Sequence, residues 1–204
     1  MSAGRKDDHL RWTEVDRRIL VQTPIFRLVS STRSSPEGNE SDYYLITSPD
    51  WVNIVALTRD KDDRECFVMV RQFRHGNKQI SIEFPGGVVD PGEDPARAVT
   101  RELLEETGYR AERILHLGSI NPNPAIMDNR CHTYLAETVE HVADLSPDGD
   151  EFLEVELVPV RDLSAGKRGR EFDHAMMHVA LRFYEKYREN TGTKRGAGRI
   201  RTGE

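Results

Sequence analysis

The sequence has few of the features that mark secreted, membrane-spanning or nucleic-acid-binding proteins. It contains two cysteines, too few for a disulfide framework, and no apolar run near the roughly 18 residues that span a bilayer. The N-terminus has no apolar signal segment, and 29 Lys and Arg against 35 Asp and Glu give a formal net charge of −6. We therefore expect a cytoplasmic protein with no membrane or nucleic-acid partner, whose Cys66 and Cys131 are free and buried.

The 204 residues are enough for one hydrophobic core and a small accessory subdomain. Residues 1–50 contain β-rich stretches around a dense turn signal, which predict a small N-terminal antiparallel β subdomain. Because an isolated hairpin is only marginally stable, this part should pack on the main domain or on a partner subunit. Residues 51–190 are predicted to form the main domain. The Gly-, Thr- and Arg-rich residues 191–204 are predicted to be a disordered tail.

Apolar and β-branched runs in the main domain predict strands. These runs are Val52–Thr58, Cys66–Phe73, Ile80–Phe84, Arg113–Ile120, Cys131–Glu137 and Phe152–Val160. A helix is predicted to begin at Asp94 and Pro95, which suit the N-cap and the first turn, and to end at Gly108. An apolar stripe predicts a last helix from about Phe172 to Tyr187.

The first predicted helix carries Glu102, Glu105 and Glu106 within about one turn. Like charges at these spacings destabilise a helix by a few tenths of a kcal/mol per pair, and the C-terminal end of a helix disfavours anions. Such an arrangement needs a compensating cation, and hard carboxylate oxygens suit Mg²⁺, with Mn²⁺ as a substitute. For three glutamates alone, the alternative is a solvated acidic face.

The residues around these glutamates fit the pattern G-x5-E-x7-R-E-U-x-E-E-x-G-U, in which U is a bulky aliphatic or aromatic residue. The matching residues are Gly87, Glu93, Arg101, Glu102, Leu103, Glu105, Glu106, Gly108 and Tyr109. This string is similar to the Nudix box, and the chain resembles the Nudix hydrolase superfamily. The resemblance implies an α/β fold, an α/β/α sandwich with a mixed sheet.

The resemblance also implies roles for the residues of the box. Metal ligands would be the backbone carbonyl of Gly86 and the carboxylates of Glu102, Glu105 and Glu106, with Glu105 also catalytic. Arg101 would pair with Glu93 or a neighbouring glutamate and so orient the ligands. The implied chemistry is attack by a metal-activated water on phosphorus, with a phosphate-terminated leaving group.

Residues flanking the box resemble the ADP-ribose pyrophosphatase branch of this superfamily. Gln72-Phe73-Arg74 precedes Glu83-Phe84-Pro85-Gly86, in which Gly86 stands where the branch usually has Ala, and Pro124 follows Tyr109 at the offset of the branch. By this resemblance Arg74 would pair with a substrate phosphate, and Glu83 would bind the substrate or a water molecule. Met127 and Asp128 would line the side of the site that binds the terminal sugar.

Two further expectations rest on the same resemblance. An acidic loop would supply a general base, for which Glu151 is the first choice and Asp150 the reserve, unless the box glutamates act as the base themselves. Aromatic residues of the N-terminal sheet would stack on the nucleobase across the interface of a homodimer, at about 1–3 kcal/mol per base. The candidates are Phe26, Tyr43 and Tyr44.

The expected function is Mg²⁺-dependent hydrolysis of ADP-ribose or a related nucleoside diphosphate sugar to a nucleoside monophosphate and a sugar phosphate. Two alternatives remain open, namely another Nudix substrate, such as GDP-mannose or a dinucleoside polyphosphate, and a regulator that binds a nucleotide sugar without turnover. His174 and His178 have the spacing of a zinc-binding helix, but Ala175 replaces the glutamate of that motif. They are interpreted as ordinary surface or interface histidines.

Overall fold

The computed structural model describes residues 7–146 and 152–196. Contacts within the chain divide it into two compact units, of which the smaller is Met1–Pro49 with Asn121–Arg130. The larger unit is Asp50–Ile120 with Cys131–Glu204. The loop at 121–130 therefore groups with the N-terminal residues, whereas the sequence suggested that it belongs to the main domain.

The smaller unit contains a three-stranded antiparallel sheet, in the order β1-β2-β3, which follows a short 3₁₀ helix at Asp8–Leu10. Its strands are β1 (Thr13–Gln22), β2 (Arg27–Ser34) and β3 (Glu40–Thr47). The turn predicted between β2 and β3 is present at residues 35–39. All ten residues of β1 are exposed in the single chain, whereas β2 buries its central residues.

The larger unit is built on a six-stranded mixed sheet. Its strands are β4 (Trp51–Arg59), β5 (Glu65–Arg74), β6 (Gln79–Glu83), β8 (Leu115–Ile120), β9 (Cys131–Ala136) and β11 (Leu153–Pro159). The order is β11-β5-β4-β9-β8, and β6 pairs with the second half of β5. Strands β4 and β9 are parallel and the other pairs are antiparallel, so the predicted mixed sheet is confirmed. A separate two-stranded ribbon joins β7 (Tyr109–Ala111) to β10 (Val139–His141).

Helices cover both faces of this sheet, because its central strands are apolar on both sides. The helices are α1 (Pro95–Thr107), α2 (Val160–Ser164) and α3 (Ala175–Gly196), with a 3₁₀ turn at Gly169–Glu171. Along β4, Val55 and Leu57 pack in the core beneath α3, whereas Ile54 and Ala56 pack in the core beneath α1. The alternation of side chains in a strand thus builds the two layers of the expected sandwich.

Helix α1 has the boundaries that the sequence predicts. The side chain of Asp94 accepts a hydrogen bond from the N–H of Ala96 at 2.8 Å, and Pro95 occupies the first turn. At the other end Gly108 adopts a left-handed conformation with φ of 69° and donates its N–H to the carbonyl of Leu104. Leu103 is fully buried, which contributes about 1.5–3 kcal/mol.

Two local features differ from the sequence interpretation. Helix α3 begins at Ala175 and continues to Gly196, so residues 191–196 are helical where the composition predicted a disordered tail. The ribbon of β7 and β10 was not predicted, because three-residue strands give no periodic signal.

Both cysteines are free and buried, as predicted. Burial raises the pKa of the Cys131 thiol to about 12, so that this group is inert near neutral pH. Within the described residues, no helix is both long and apolar enough to cross a membrane.

Candidate active site

Arg101 is the centre of the charged cluster on α1. Its Nη1 donates to Oε1 of Glu102 at 2.9 Å and to Oε2 of Glu105 at 3.0 Å. Its Nε and Nη2 donate to the two carboxylate oxygens of Glu93, at 3.3 and 3.1 Å, and Nη2 also reaches the carbonyl of Val88. These hydrogen bonds raise the pKa of Arg101 above its ordinary value, with the Glu93 bonds contributing most. One guanidinium therefore joins the loop before α1 to two glutamates on the helix.

Glu106 faces the backbone of the loop that precedes α1. The side chain is buried, and its Oε2 accepts the N–H of Gly86 at 2.8 Å. On the opposite side of this loop, the carbonyls of Pro85 and Gly87 accept N–H groups of β4. The N–H of Gly86 therefore points towards α1, whereas the carbonyls on either side of it point towards β4. The ligand role that the resemblance implies for the carbonyl of Gly86 stays a prediction.

Two glycines let this loop approach its neighbours closely. A Cβ on Gly87 would lie 2.4 Å from Oε1 of Glu102, and a Cβ on Gly86 would lie 2.1 Å from the carbonyl oxygen of Val52. A Cβ on Gly87 would therefore displace the carboxylate of Glu102, and a Cβ on Gly86 would displace the backbone of β4. The sequence suggested that Gly86 is a mild departure from the alanine of the branch, whereas the structure leaves no room for a methyl group at this position.

The carboxylate oxygens on α1 are donors of the type that a hard divalent cation prefers, but their arrangement here is one in which they pair with a guanidinium. Two carboxylates converge on a single cationic nitrogen, Nη1 of Arg101, and the third, Glu106, lies against the backbone whose carbonyl would complete the set. Across residues 7–146 and 152–196, no three His, Cys, Asp and Glu side chains are grouped so that they could hold a metal ion. The positive charge among these carboxylates is that of Arg101.

A second charged group lies at the β5–β6 hairpin and joins two predicted substrate-binding residues. Glu83 is 1% exposed, and its two oxygens accept hydrogen bonds from Nε and Nη2 of Arg74, each at 2.8 Å. His174 donates from Nδ1 to the same carboxylate at 2.9 Å. Burial alone would raise the pKa of Glu83, but the hydrogen bonds from Arg74 and His174 outweigh it and hold this pKa well below its usual range. Glu83 is therefore an ionised anchor and a poor proton acceptor.

His174 is the residue of this group that the sequence interpretation missed. The sequence predicts an ordinary surface or interface histidine, whereas His174 contacts a buried carboxylate 91 residues away in the chain. The four-residue spacing between His174 and His178 indicates only a possible metal-binding motif. No local pattern could have indicated Glu83 as the partner.

The remaining predicted residues lie in the smaller unit. Asp128 accepts hydrogen bonds from Nη2 of Arg17 at 3.2 Å and from the hydroxyl of Thr47 at 3.0 Å. Met127 forms an isolated β-bridge with Ile46. The ring of Tyr43 packs edge-on against Trp12, Tyr44 is exposed, and Phe26 closes the turn between β1 and β2. The predicted site residues thus fall into two groups, one in each unit.

The predicted general base lies outside the described residues. Glu151 and its reserve Asp150 belong to the segment 147–151. The chain enters this segment at Ser146, whose N–H donates to the carbonyl of Glu105 at 3.0 Å, and leaves it before Leu153, which pairs with Gln72 of β5.

The sequence and the fold of this chain are similar to those of known proteins. Residues 49–179 match the model of the NUDIX domain. The ADP-ribose pyrophosphatase of Bacillus subtilis is 30% identical over 151 residues, which cover 74% of this chain and 80% of that protein. The methanol dehydrogenase activator of Bacillus methanolicus is 34% identical over 142 residues, 68% of this chain and 74% of that protein. A crystal structure of an ADP compounds hydrolase superposes with a TM-score of 0.75 at 22% identity and covers 89% of this chain and 96% of that one.

The chain belongs to the Nudix family, and the complete box, from Gly87 to Tyr109, makes it a Nudix hydrolase. Within that family it belongs to the ADP-ribose pyrophosphatase branch.

Proposed function

We propose that this protein uses Mg²⁺ to hydrolyse the diphosphate bond of ADP-ribose or a related nucleoside diphosphate sugar. The observation that carries the proposal is the convergence of Glu102 and Glu105 on one cationic nitrogen beside the Gly86 loop. Mn²⁺ is expected to substitute, since both ions prefer oxygen ligands. The names of the relatives support a nucleotide sugar, because the Bacillus subtilis protein is an ADP-ribose pyrophosphatase.

In the proposed reaction a water oxygen forms a bond to one phosphorus, and the bond from that phosphorus to the bridging oxygen breaks. The bridging oxygen leaves with the other phosphate, which gives AMP and ribose 5-phosphate. A divalent cation held by Glu102, Glu105, Glu106 and the Gly86 carbonyl would supply Lewis-acid stabilisation and activate the water.

Other side chains would position the metal ligands, bind the substrate phosphate and act as the general base. Arg101 holds the carboxylates of Glu102 and Glu105 at fixed positions through its hydrogen bonds. Arg74, which is partly exposed and anchored to Glu83, would bind a substrate phosphate. Glu151 is proposed as the general base. The bond from Ser146 to Glu105 supports this role, because it brings the start of the loop to the end of α1.

Activity on ADP-ribose is the first expected result. With Mg²⁺ present, AMP should be released at a kcat/KM at least about tenfold above that for GDP-mannose or a diadenosine polyphosphate. Chromatographic separation of the nucleotide products would measure this ratio for each substrate. A higher value for GDP-mannose would reassign the substrate while leaving the hydrolase chemistry intact.

A second candidate function is favoured by one comparison. The similarity to a methanol dehydrogenase activator supports a regulatory protein that binds a nucleotide and acts on a partner enzyme. The complete set of box glutamates is more typical of a catalyst. Binding of ADP-ribose without any turnover in Mg²⁺ or Mn²⁺ would favour the regulator.

We also propose that the protein is a homodimer that associates through its N-terminal sheet. Large apolar side chains are exposed along this part of the single chain, namely Leu10, Trp12, Val15, Ile19, Leu20, Val21, Ile25, Tyr43 and Tyr44. So many large apolar side chains exposed in one small sheet are typical of an interface. Phe26 and Tyr43 remain the candidates for stacking on the nucleobase.

Light scattering coupled to gel filtration is expected to give twice the 23.3-kDa mass of the chain. Ile19→Glu should convert much of the protein to monomer, because it places a charge beside the exposed apolar side chains of Leu20 and Val21. Leu115→Glu, at an exposed apolar position of the other unit, is the matched control and should remain dimeric. A monomeric wild type would contradict the proposed assembly.

A further inference from the structure

Glu83 joins two segments of the chain that are far apart in sequence. It ends β6, and its Oε1 accepts a hydrogen bond from Nε of Arg74. Its Oε2 accepts from Nη2 of Arg74 and also from Nδ1 of His174. Because a carboxylate only accepts, Nδ1 of the imidazole carries the proton in this contact. One buried carboxylate therefore holds an arginine from β5 and a histidine that directly precedes α3.

The position of His174 is fixed by the first turn of α3. Its carbonyl accepts the N–H groups of Met177 and His178, at 2.9 and 3.4 Å. Met177 is buried in the core, and its sulfur accepts the N–H of Phe84 at 3.1 Å. The start of α3 is thus tied to two consecutive residues, Glu83 through His174 and Phe84 through Met177. Since both ties are short, the imidazole has little freedom to move relative to the carboxylate.

We propose that His174 is a positioning residue that fixes the carboxylate of Glu83 and, through it, the guanidinium of Arg74. The inference rests on the proposed function, since it takes Arg74 as the residue that binds a substrate phosphate. The two parallel hydrogen bonds make the plane of the guanidinium follow the plane of the carboxylate. A third donor on Oε2 prevents the carboxylate from rotating, so the arginine is presented in one orientation.

The hydrogen bond from His174 to Glu83 also affects the energy of phosphate binding by Arg74. Arg74 is 45% exposed, whereas Glu83 is almost completely buried. An anionic phosphate would compete with Glu83 for the charge of Arg74, and a buried carboxylate with weakened compensation is costly. The hydrogen bond from His174 remains in place and limits this cost. Arg74 can therefore bind the substrate phosphate while the buried carboxylate of Glu83 keeps the hydrogen bond from His174.

Replacing His174 by alanine tests the inference. His174→Ala is expected to raise KM for ADP-ribose roughly tenfold with kcat changed less than about twofold, as for a lost charge-assisted hydrogen bond that acts on binding. His174→Asn places an amide donor near the position of Nδ1 and should restore KM to within about threefold of wild type. The matched control is His178→Ala, one turn later on α3, where the ring contacts Phe172, and it should leave KM unchanged.

A double-mutant cycle separates positioning from general damage to the fold. If His174 acts through Arg74, then His174→Ala should add less than about twofold to KM when Arg74 is already alanine. A full additional increase in KM, or an unchanged KM in His174→Ala alone, would overturn the inference. Absence of turnover by the wild type would instead count against the proposed function. The same cycle would then be measured as ADP-ribose affinity by titration calorimetry, where the same two outcomes decide.

Discussion

Glu105→Gln is expected to lower kcat for ADP-ribose hydrolysis by at least about 10³-fold, because Lewis-acid stabilisation supplies several kcal/mol and each decade of rate is about 1.4 kcal/mol. Glutamine keeps the shape of the side chain but lacks the negative charge that a divalent cation requires. Glu105 is partly exposed, and Arg101 keeps its bonds to Glu93 and Glu102 without it, so the replacement should leave the fold intact. Product release at saturating ADP-ribose, over a range of Mg²⁺ concentrations, would measure the loss.

The matched control is Glu112→Gln, which removes the same charge from an exposed glutamate a few residues beyond α1. This variant should retain wild-type kcat and metal dependence. The thermal unfolding curve of Glu105→Gln should match that of the wild type, which would exclude misfolding as the cause. Undiminished turnover by Glu105→Gln would rule out the proposed role of the box glutamates.

The sequence predicts best those elements whose position depends on residues close together in the chain. Asp94, Pro95 and Gly108 define the ends of α1 by local capping chemistry, and the structure places the helix between them. The positions of β4 and β5 were likewise predicted from apolar runs, because strands buried on both faces need continuous apolar residues. The close packing of Gly87 against Glu102 adds a physical reason for the first glycine of the box.

Contacts between residues far apart in the chain could not be predicted from local sequence patterns. The bond between His174 and Glu83 spans 91 residues, and the bond between Arg17 and Asp128 spans 111. The second contact, with the backbone bonds of Ile46 to Ile126 and Met127, connects the loop at 121–130 to the N-terminal sheet. The first pair depends on how the residue before α3 meets the end of β6, and the second on how the loop at 121–130 meets β1. No short motif specifies either meeting.

The pairing of Arg101 was predicted only in part. The resemblance implied an ion pair with Glu93 or with a neighbouring glutamate, whereas the structure shows Arg101 bonded to Glu93, Glu102 and Glu105 together. A single guanidinium can do this because it has five N–H donors in a fixed plane. In the absence of metal, the loss of Arg101 should therefore lower the free energy of unfolding more than the loss of an ordinary surface arginine.

Arg101→Met is expected to lower the free energy of unfolding by about 2 kcal/mol in the absence of divalent cations, since three carboxylates lose a half-buried partner. For a chain of this length the loss corresponds to a fall of roughly 4–8 °C in Tm. Calorimetry in the presence of a chelator would measure it. Arg97→Met, an exposed arginine one turn earlier on α1, is the matched control and should change Tm little.

The same variant should distinguish a metal site from an ion-pair network. If a divalent cation binds among Glu102, Glu105 and Glu106, saturating Mg²⁺ supplies the positive charge that the methionine lacks and stabilises the folded state by mass action. The deficit in Tm should then shrink by at least about half when Mg²⁺ is added, and the rise in Tm should exceed that of the wild type. An equal deficit with and without Mg²⁺ or Mn²⁺ would mean that the cluster on α1 serves only to pair with Arg101, and the metal site would have to lie elsewhere.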